Sequence, residues 1–242
     1  MGTVDEKQQQ QREYWNARSR TFPRFEEGDH TYEATMLRRA MENGVDFNNK
    51  RILDVGCGSG MYTLRLALMG ASVMAVDVSD EMLRLLREDA AAKGIHNIVT
   101  IRSGWDTFST NERFDIVFAS MTPAIESDAS REKLMDYTTD QVVFIGFSER
   151  MLSNVMQGLH EYYKVPPKIF NNAQDMRAWL QARGVPYTAI PIKGQWVIPK
   201  SLEELTDSCI TTLRSYGAEP DPDVVAKHVA TFRDENGQYV ER

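Results

Sequence analysis

One short stretch of this sequence brings together residue types that could do chemistry. Asp54-Val55-Gly56-Cys57-Gly58-Ser59-Gly60 sits where an apolar run beginning at Arg51 gives way to a helical pattern. Glycines are needed there because the turn demands unusual backbone angles and because a ligand must approach the main chain closely. A helix start just beyond supplies N–H groups that lack intrahelical partners. A second acid, Asp77, ends the next apolar run, 21 residues after Gly56. A carboxylate there can accept both hydroxyls of a ribose, which suits any adenosine cofactor. A glycine loop alone is a weak signal, and the spacing sharpens it. The dinucleotide fingerprint G-x-G-x-x-G/A puts its third small residue three places after the second glycine. Here that place is Met61, and the third glycine comes early, at Gly60.

The elements that must position these residues alternate regularly. RILDVG, ASVMAVD, NIVTIR, FDIVFAS and QVVFIGF are short apolar runs, and helical patterns follow most of them. Ser79 reads as the N-cap of SDEMLRLLREDAAAKG, with acids in its first turn and Gly94 as its stop. Further helices are expected over Ser130–Tyr137 and Ser148–Tyr163. Nearly all-apolar strands separated by helices imply a parallel sheet covered on both faces. Right-handed crossovers then give an α/β fold, a doubly wound, mostly parallel Rossmann-like sheet.

Around this rhythm the chain is looser. The first dozen residues are polar and read as frayed, with a short helix from Tyr14 to Phe25 stopped near Pro23. Thr31–Met41 is amphipathic, and Gly44 ends it. Residues 1–45 are expected to form an N-terminal helical lid. Residues 46–242 are expected to form the sheet domain, with an acceptor-side insertion around 148–172 and C-terminal helices. In the last third, Asn172–Arg183 reads as helix, and Tyr187–Ile198 as one long strand or a bent pair. Ser201 and Glu204 make a capping box, Asp223–Arg233 is a helix, and GQYVE a final edge strand.

Composition bounds the function. The 242 residues carry 28 Lys and Arg against 35 Asp and Glu, a net charge of −7, which weighs against a protein built to grip phosphate backbones. Two cysteines rule out a disulfide framework, and four scattered histidines beside them give no metal-ligand cluster. No apolar run approaches the ~18–20 residues of a membrane span. The N-terminus lacks the apolar stretch of a secretory signal, so a cytoplasmic location is expected.

The D-x-G-x-G-x-G of Asp54–Gly60 resembles motif I of the class I S-adenosylmethionine-dependent methyltransferases. The resemblance covers about Arg51 to Met121; beyond Pro123 it is to the fold only. It implies S-adenosylmethionine as cofactor and S-adenosylhomocysteine as product, with Asp54 holding the cofactor's ammonium directly or through water. Gly56, Cys57, Gly58 and Gly60 would line the cofactor, Asp77 would take the ribose, and Val78 and Met82 would pack on the adenine. In the family the loop after the third strand often reads Gly-Asp near the adenine amino group. Here Trp105 takes the usual acid position, so either Asp106 reaches the adenine or Trp105 lines the pocket. Ser120 and Met121, at the fourth strand end, fall where methyl donor and acceptor would meet. YWNARS resembles the opening helix of many small-molecule methyltransferases. Tyr14 and Trp15 there either close over the methionine end or pin the first helix.

The activity implied is transfer of a sulfonium methyl group by in-line displacement, which needs orientation and desolvation more than a fixed acid/base constellation. That leaves the catalytic residue unassigned. His160, in LHEYYKVPPK, is the weak candidate for an acceptor-site base, against the plainer reading of a half-buried helix histidine. Cys57 has no base in its motif and reads as a small lining residue. Ser120-Met121-Thr122-Pro123 does not match the Asn/Asp-Pro-Pro-aromatic motif of enzymes that methylate planar or amide nitrogens. The expected acceptor is a small molecule in a pocket roofed by the N-terminal helices and the segment around Tyr162–Phe170, with nucleic acid and membrane disfavoured. The alternatives are a methyltransferase acting on RNA or protein, a non-catalytic cofactor-binding module, and a dehydrogenase, for which the glycine pattern is wrong.

Overall fold

The computed structural model describes residues 4–148, 153–166, 171–193 and 198–241. The described chain divides into two compact units, residues 1–146 with 172–190, and residues 147–171 with 191–242.

The first unit is a doubly wound parallel sheet. Its strands are β1 (Arg51–Val55), β2 (Ser72–Asp77), β3 (Ile98–Arg102), β4 (Phe114–Ser120) and β5 (Thr138–Ile145), in the order β3-β2-β1-β4-β5. Every pairing is parallel, with Asp54 beside Ala75 on one flank and Phe118 on the other. Successive side chains point to opposite faces. Leu53, Val55, Val76, Val117 and Ala119 therefore meet α5 (Asp128–Tyr137) and α7 (Asn172–Ala182) through Leu134, Met176 and Trp179. On the other face Ala75 packs with Leu64 of α3 (Met61–Leu68) and with Leu83 and Leu86 of α4 (Asp80–Ala92). Both faces are buried, which is why the strands carry so little polar alternation.

The order has one reversal. From β1 the chain steps through α3 to β2 and through α4 to β3, then returns to place β4 on the other side of β1. The connections that leave the carboxyl ends of β1 and β4 consequently run to opposite faces of the sheet, and such a switch point opens the crevice where ligands of this fold class bind.

The N-terminal segment departs from the sequence expectation. Most of the stretch expected to be frayed is helical: α1 runs Val4–Arg18 and passes into a 3-10 turn, Ser19–Thr21, while residues 1–3 lie outside the described residues. Its Gln, Glu, Lys and Arg residues are good helix formers without an apolar stripe, so periodicity had nothing to detect. Helix α2 spans Tyr32–Glu42, with the Thr31 hydroxyl accepting from Ala34 N as its N-cap. Helix α5 starts two residues earlier than expected, at a Ser127–Ser130 capping box, and β5 starts three residues earlier than the run beginning at Gln141.

The second unit has its own core of Val155, Met156, Leu159, Leu205, Cys209, Leu213, Val225 and Val229. These come from α6 (Asn154–Tyr163), α8 (Leu202–Ser215) and α9 (Pro222–Ala230). The Ser201–Glu204 capping box opens α8 as its spacing indicated. Strands β6 (Ile198–Lys200) and β7 (Tyr239–Glu241) pair antiparallel, and the Lys200 ammonium meets Glu241 at 3.3 Å. Of the strand expected over Tyr187–Ile198 only its last residue is in β6; residues 187–193 are irregular, and residues 194–197 lie outside the described residues. The helix expected from Ser148 begins at Asn154, and residues 149–152 likewise lie outside the description.

Gly60 separates conformational from steric need. It sits at φ +87°, and a Cβ there would come within 2.3 Å of Leu86 Cδ1, whereas Gly94, at φ +64°, faces open space. Both alanine replacements carry the left-handed backbone penalty, and only Gly60→Ala adds overpacking. Urea unfolding should show Gly60→Ala costing roughly 1–3 kcal/mol more than Gly94→Ala. Equal losses would mean that α3 and α4 part freely at this point.

Candidate functional site

Every polar group at the switch point is placed by the end of an element. Asp54, the fourth residue of β1, is 2% exposed, and its Oδ2 accepts from Thr63 Oγ1 at 2.6 Å. Thr63 is on the first turn of α3 and fully buried. Burial pushes the Asp54 carboxyl up to about 7, with the Thr63 hydrogen bond opposing and the Asp77 charge adding to the rise. A buried acid with one hydroxyl donor is electrostatically short of a partner.

Asp77 ends β2 and works as a clasp. Its Oδ2 accepts from Gly58 N at 2.9 Å and its Oδ1 from Ser79 N at 2.8 Å. Burial raises this carboxyl as well, and the hydrogen bonds from backbone N–H groups partly offset it. Two oxygens offer about four acceptor positions, so the clasp retains acceptor capacity. Ser79 goes on to cap α4, its hydroxyl accepting from Met82 N. One acid thus ties the glycine loop to the start of the next helix.

The loop's three glycines answer to different neighbours. Gly56, at φ +69°, lies so close to the β4 end that a Cβ would sit 2.1 Å from Thr122 Oγ1. Gly58, at φ +55°, faces Phe22, 3.7 Å from where its Cβ would be. Gly60 faces Leu86. Gly56 N and Cys57 N both donate to Val76 O of β2, and Gly60 N to Cys57 O, so the loop is held mainly by the neighbouring strand. The Cys57 thiol is pushed well up by burial and by the nearby Asp77 and Asp54. It is a neutral thiol, unsuited to nucleophilic attack.

Beyond β4 the backbone is strained. Met121 has φ +48° although it bears a side chain, and its N–H donates to Ile145 O. Such conformations gather at functional sites because they cost free energy elsewhere undefended. Beside it, Ser120 Oγ and the hydroxyl of Tyr62 are both buried and face one another. Tyr62 is on the first turn of α3, its ring 5.2 Å from that of Phe118.

The other expected residues fall in varied places. Met82 is buried in α4 and Val78 half-buried. Trp105 turns away into the core, stacked on Phe108 at 5.7 Å and donating from Nε1 to Ser130 O, while Asp106 is exposed. Trp15 meets Phe22 edge-on at 6.2 Å, and Tyr14 meets Trp15 at 5.2 Å, so this aromatic chain leads to Gly58. His160 belongs to the second unit, where it stacks on Tyr216 at 5.4 Å. Of the expected roof over Tyr162–Phe170, residues 167–170 lie outside the described residues, and Tyr162 to Pro166 belong to the second unit.

The sequence reading missed Thr63, Tyr62, Asn16 and Phe22. Asn16 Oδ1 accepts from Ser79 Oγ at 2.6 Å and from Glu81 N at 3.3 Å, and Arg12 pairs with Asp80. Gln8 Nε2 donates to Thr107 Oγ1 and lies against Gly104. Helix α1 is thereby strapped along the loops that follow β2 and β3. Asn16 sits in the YWNARS stretch, so a signal existed; Thr63 and Tyr62 become visible only once the loop is known to open α3.

Among known proteins, a family model described as "Methyltransferase domain" matches residues 52–139. Ribosomal protein L11 methyltransferase of Lactobacillus delbrueckii subsp. bulgaricus is 32% identical over 112 residues, 46% of this chain and 35% of that protein. Magnesium-protoporphyrin O-methyltransferase of Rhodobacter capsulatus is 39% identical over 62 residues, 26% of each chain. The chain spans less than half the length of these relatives. Among solved structures, the magnesium protoporphyrin IX methyltransferase of Synechocystis PCC 6803 aligns with a TM-score of 0.44 at 16% identity, over 58% of this chain and 76% of that one.

The raised Asp54 carboxyl carries a sign that can be measured. Between about pH 4 and 7 the folded state holds a proton that the unfolded state has released. Asp54 therefore makes stability fall as pH rises through that window, by up to about 1.4 kcal/mol per unit. Asp54→Asn keeps an acceptor for Thr63 and removes the titration. Urea unfolding from pH 5 to 8 should show the variant gaining on the wild type with each step and at least matching it at pH 8. A gap between variant and wild type that stays constant from pH 5 to 8 would show that Asp54 is ionised throughout.

Proposed function

Residues 52–139 belong to the class I S-adenosylmethionine-dependent methyltransferase family, and on that premise we propose that the whole chain is an enzyme methylating a small-molecule acceptor. The observation that carries the reading is the meeting of Asp54, the Asp77 clasp and the glycine loop at the one reversal of the strand order. The residues fit S-adenosylmethionine. Asp54 is a buried acid short of a cationic partner, which the cofactor's ammonium would supply. Asp77 keeps acceptor capacity for ribose hydroxyls while holding Gly58. Val78, just before α4, and Met82, in its first turn, would pack on the adenine, and the exposure of Asp106 against the burial of Trp105 favours Asp106 for the adenine amino group.

When bound, the cofactor supplies a methyl carbon activated by its sulfonium. The chain's own part is to hold and orient. Asp77 fixes the loop, Asp54 fixes one charged end, and the strained Met121 backbone sets the floor where the acceptor arrives. Phe22, over Gly58, narrows the water's approach to the loop. The sulfonium needs no acid to leave, and His160, stacked on Tyr216 in the second unit, is given no part in holding the cofactor.

The relatives' names span a ribosomal protein and a magnesium-porphyrin acceptor. The net charge of −7 favours the small molecule over nucleic acid. Cys57 and Cys209 are both free thiols, which supports a cytoplasmic location.

Calorimetric titration with S-adenosylhomocysteine should give saturable binding, and NADH none. Asp77→Ala should weaken the cofactor product by about tenfold or more, and Asp77→Asn, which still accepts from Gly58, by less. Incubation with methyl-labelled S-adenosylmethionine and a cell extract freed of protein and nucleic acid should place label in the small-molecule fraction. Label recovered only when ribosomes are added back would overturn the small-molecule reading, and none anywhere would overturn the enzyme.

A further inference from the structure

Lys133 sets its charge against main chain and not against a carboxylate. It is half-buried on α5, and its Nζ donates to the carbonyl of Trp105 at 2.6 Å and to that of Asp106 at 3.3 Å. The same ammonium lies 4.8 Å from the centre of the Trp105 ring. It makes no ion pair among the described residues. Burial pushes its pKa down, and the nearby Asp106 charge opposes the fall. A partly desolvated charge is costly where no counter-ion offsets it, so stability alone explains this lysine poorly.

What it holds is the loop after β3. Ser130, one turn before Lys133 on α5, accepts from Trp105 Nε1 at 3.0 Å, so the helix grips this loop at two successive turns. Phe108 N donates to Gly104 O at 2.9 Å and closes the loop into a single turn. Ser103 N donates to Asp77 O at 3.0 Å and joins that turn to the residue that clasps the glycine loop. Within this frame the main chain of Asp106 is tied down while its carboxylate is exposed, with no hydrogen bond or ion pair among the described residues. Lys133 takes the carbonyl of this residue and leaves its carboxylate available as an acceptor.

We propose that Lys133 is a positioning residue for the cofactor's base: from α5 it fixes the main chain of Asp106, so that the carboxylate distinguishes an amino group from an oxo group on the purine. The inference rests on the reading of Asp106 as the partner of the adenine amino group. An amino group donates to a carboxylate, whereas an oxo group in its place is a second acceptor and leaves the pairing unmade. Discrimination of that kind needs the acceptor fixed before the ligand arrives, because a loop free to shift carries the carboxylate out of line. The lysine touches neither purine nor methyl group; its effect passes through Asp106.

The test titrates the full chain calorimetrically with S-adenosylhomocysteine and with S-inosylhomocysteine, which carries an oxo group where adenine has its amino group. The wild type should prefer the adenine compound by about tenfold or more. Lys133→Met should cut that preference to about threefold or less, chiefly by weakening the adenine compound. Lys133→Arg, which keeps the charge and the donors, should restore most of it. Asp106→Ala should abolish the preference, and the double variant should match Asp106→Ala alone. A Lys133→Met chain with the full preference would overturn the proposal. So would one that weakens both compounds equally, because the lysine would then serve the fold and not the base. A wild type that binds both compounds alike, or an Asp106→Ala chain that still prefers adenine, would overturn the assignment of Asp106 and the proposal with it, leaving Asp54 and Asp77 as cofactor residues. A wild type that binds neither compound would sink the methyltransferase reading itself.

Discussion

The hold of Asp77 on two backbone amides is the interaction from which the site is built. Its carboxylate reaches Gly58 in the loop after β1 and Ser79 at the start of α4, so two connections from adjacent strands are fastened at one point. Charged acceptors make stronger hydrogen bonds than neutral ones, and a buried setting strengthens them further. The cost is a carboxylate in a poorly solvated place, with Asp54 close enough to feel it. The parallel sheet makes this arrangement available, because neighbouring parallel strands end on the same side and bring their last residues abreast.

The glycine loop owes its shape to packing as much as to ligand approach. Gly56 yields to Thr122 after β4, and Gly60 yields to Leu86 of α4. Only Gly58 turns its open side to a movable side chain, Phe22. The motif thus records three separate neighbours, and the free edge over which a ligand can lie is narrower than three glycines suggest. Loop amides already bonded to β2, through Val76 O and the Asp77 carboxyl, keep that edge fixed before anything binds, which lowers the ordering cost of binding.

Much of the first unit was legible in the sequence, for a physical reason. Strands buried on both faces show as apolar runs, and Asp54 and Asp77 stand out because acids are rare at the ends of such runs. The Ser79 and Ser201 caps were legible too, because capping depends on residues three apart. Partners that meet only in three dimensions were not. Thr63 finds Asp54 across a helix turn, and Asn16 finds Ser79 across 63 residues. Trp105 shows the limit from the other side. Its place after β3 suggested a ligand wall, but an indole with an apolar core and the Ser130 carbonyl within reach is better buried than exposed. The division at residues 147–171 and 191–242 left no trace in composition, since the second core uses the same helical periodicity as the first.

Helix α1 is joined to the sheet unit along its length by side chains: Gln8 to Thr107, Arg12 to Asp80, Asn16 to Ser79 and Glu81. The first two are solvent-exposed contacts, each worth about 1 kcal/mol or less. The Asn16 bonds are better protected and sit on the same serine that Asp77 holds. The helix is therefore fastened like a zip whose teeth grow firmer toward its carboxyl end. Any force that peeled the helix from its amino terminus would reach the loop after β3 before the Asp77 clasp.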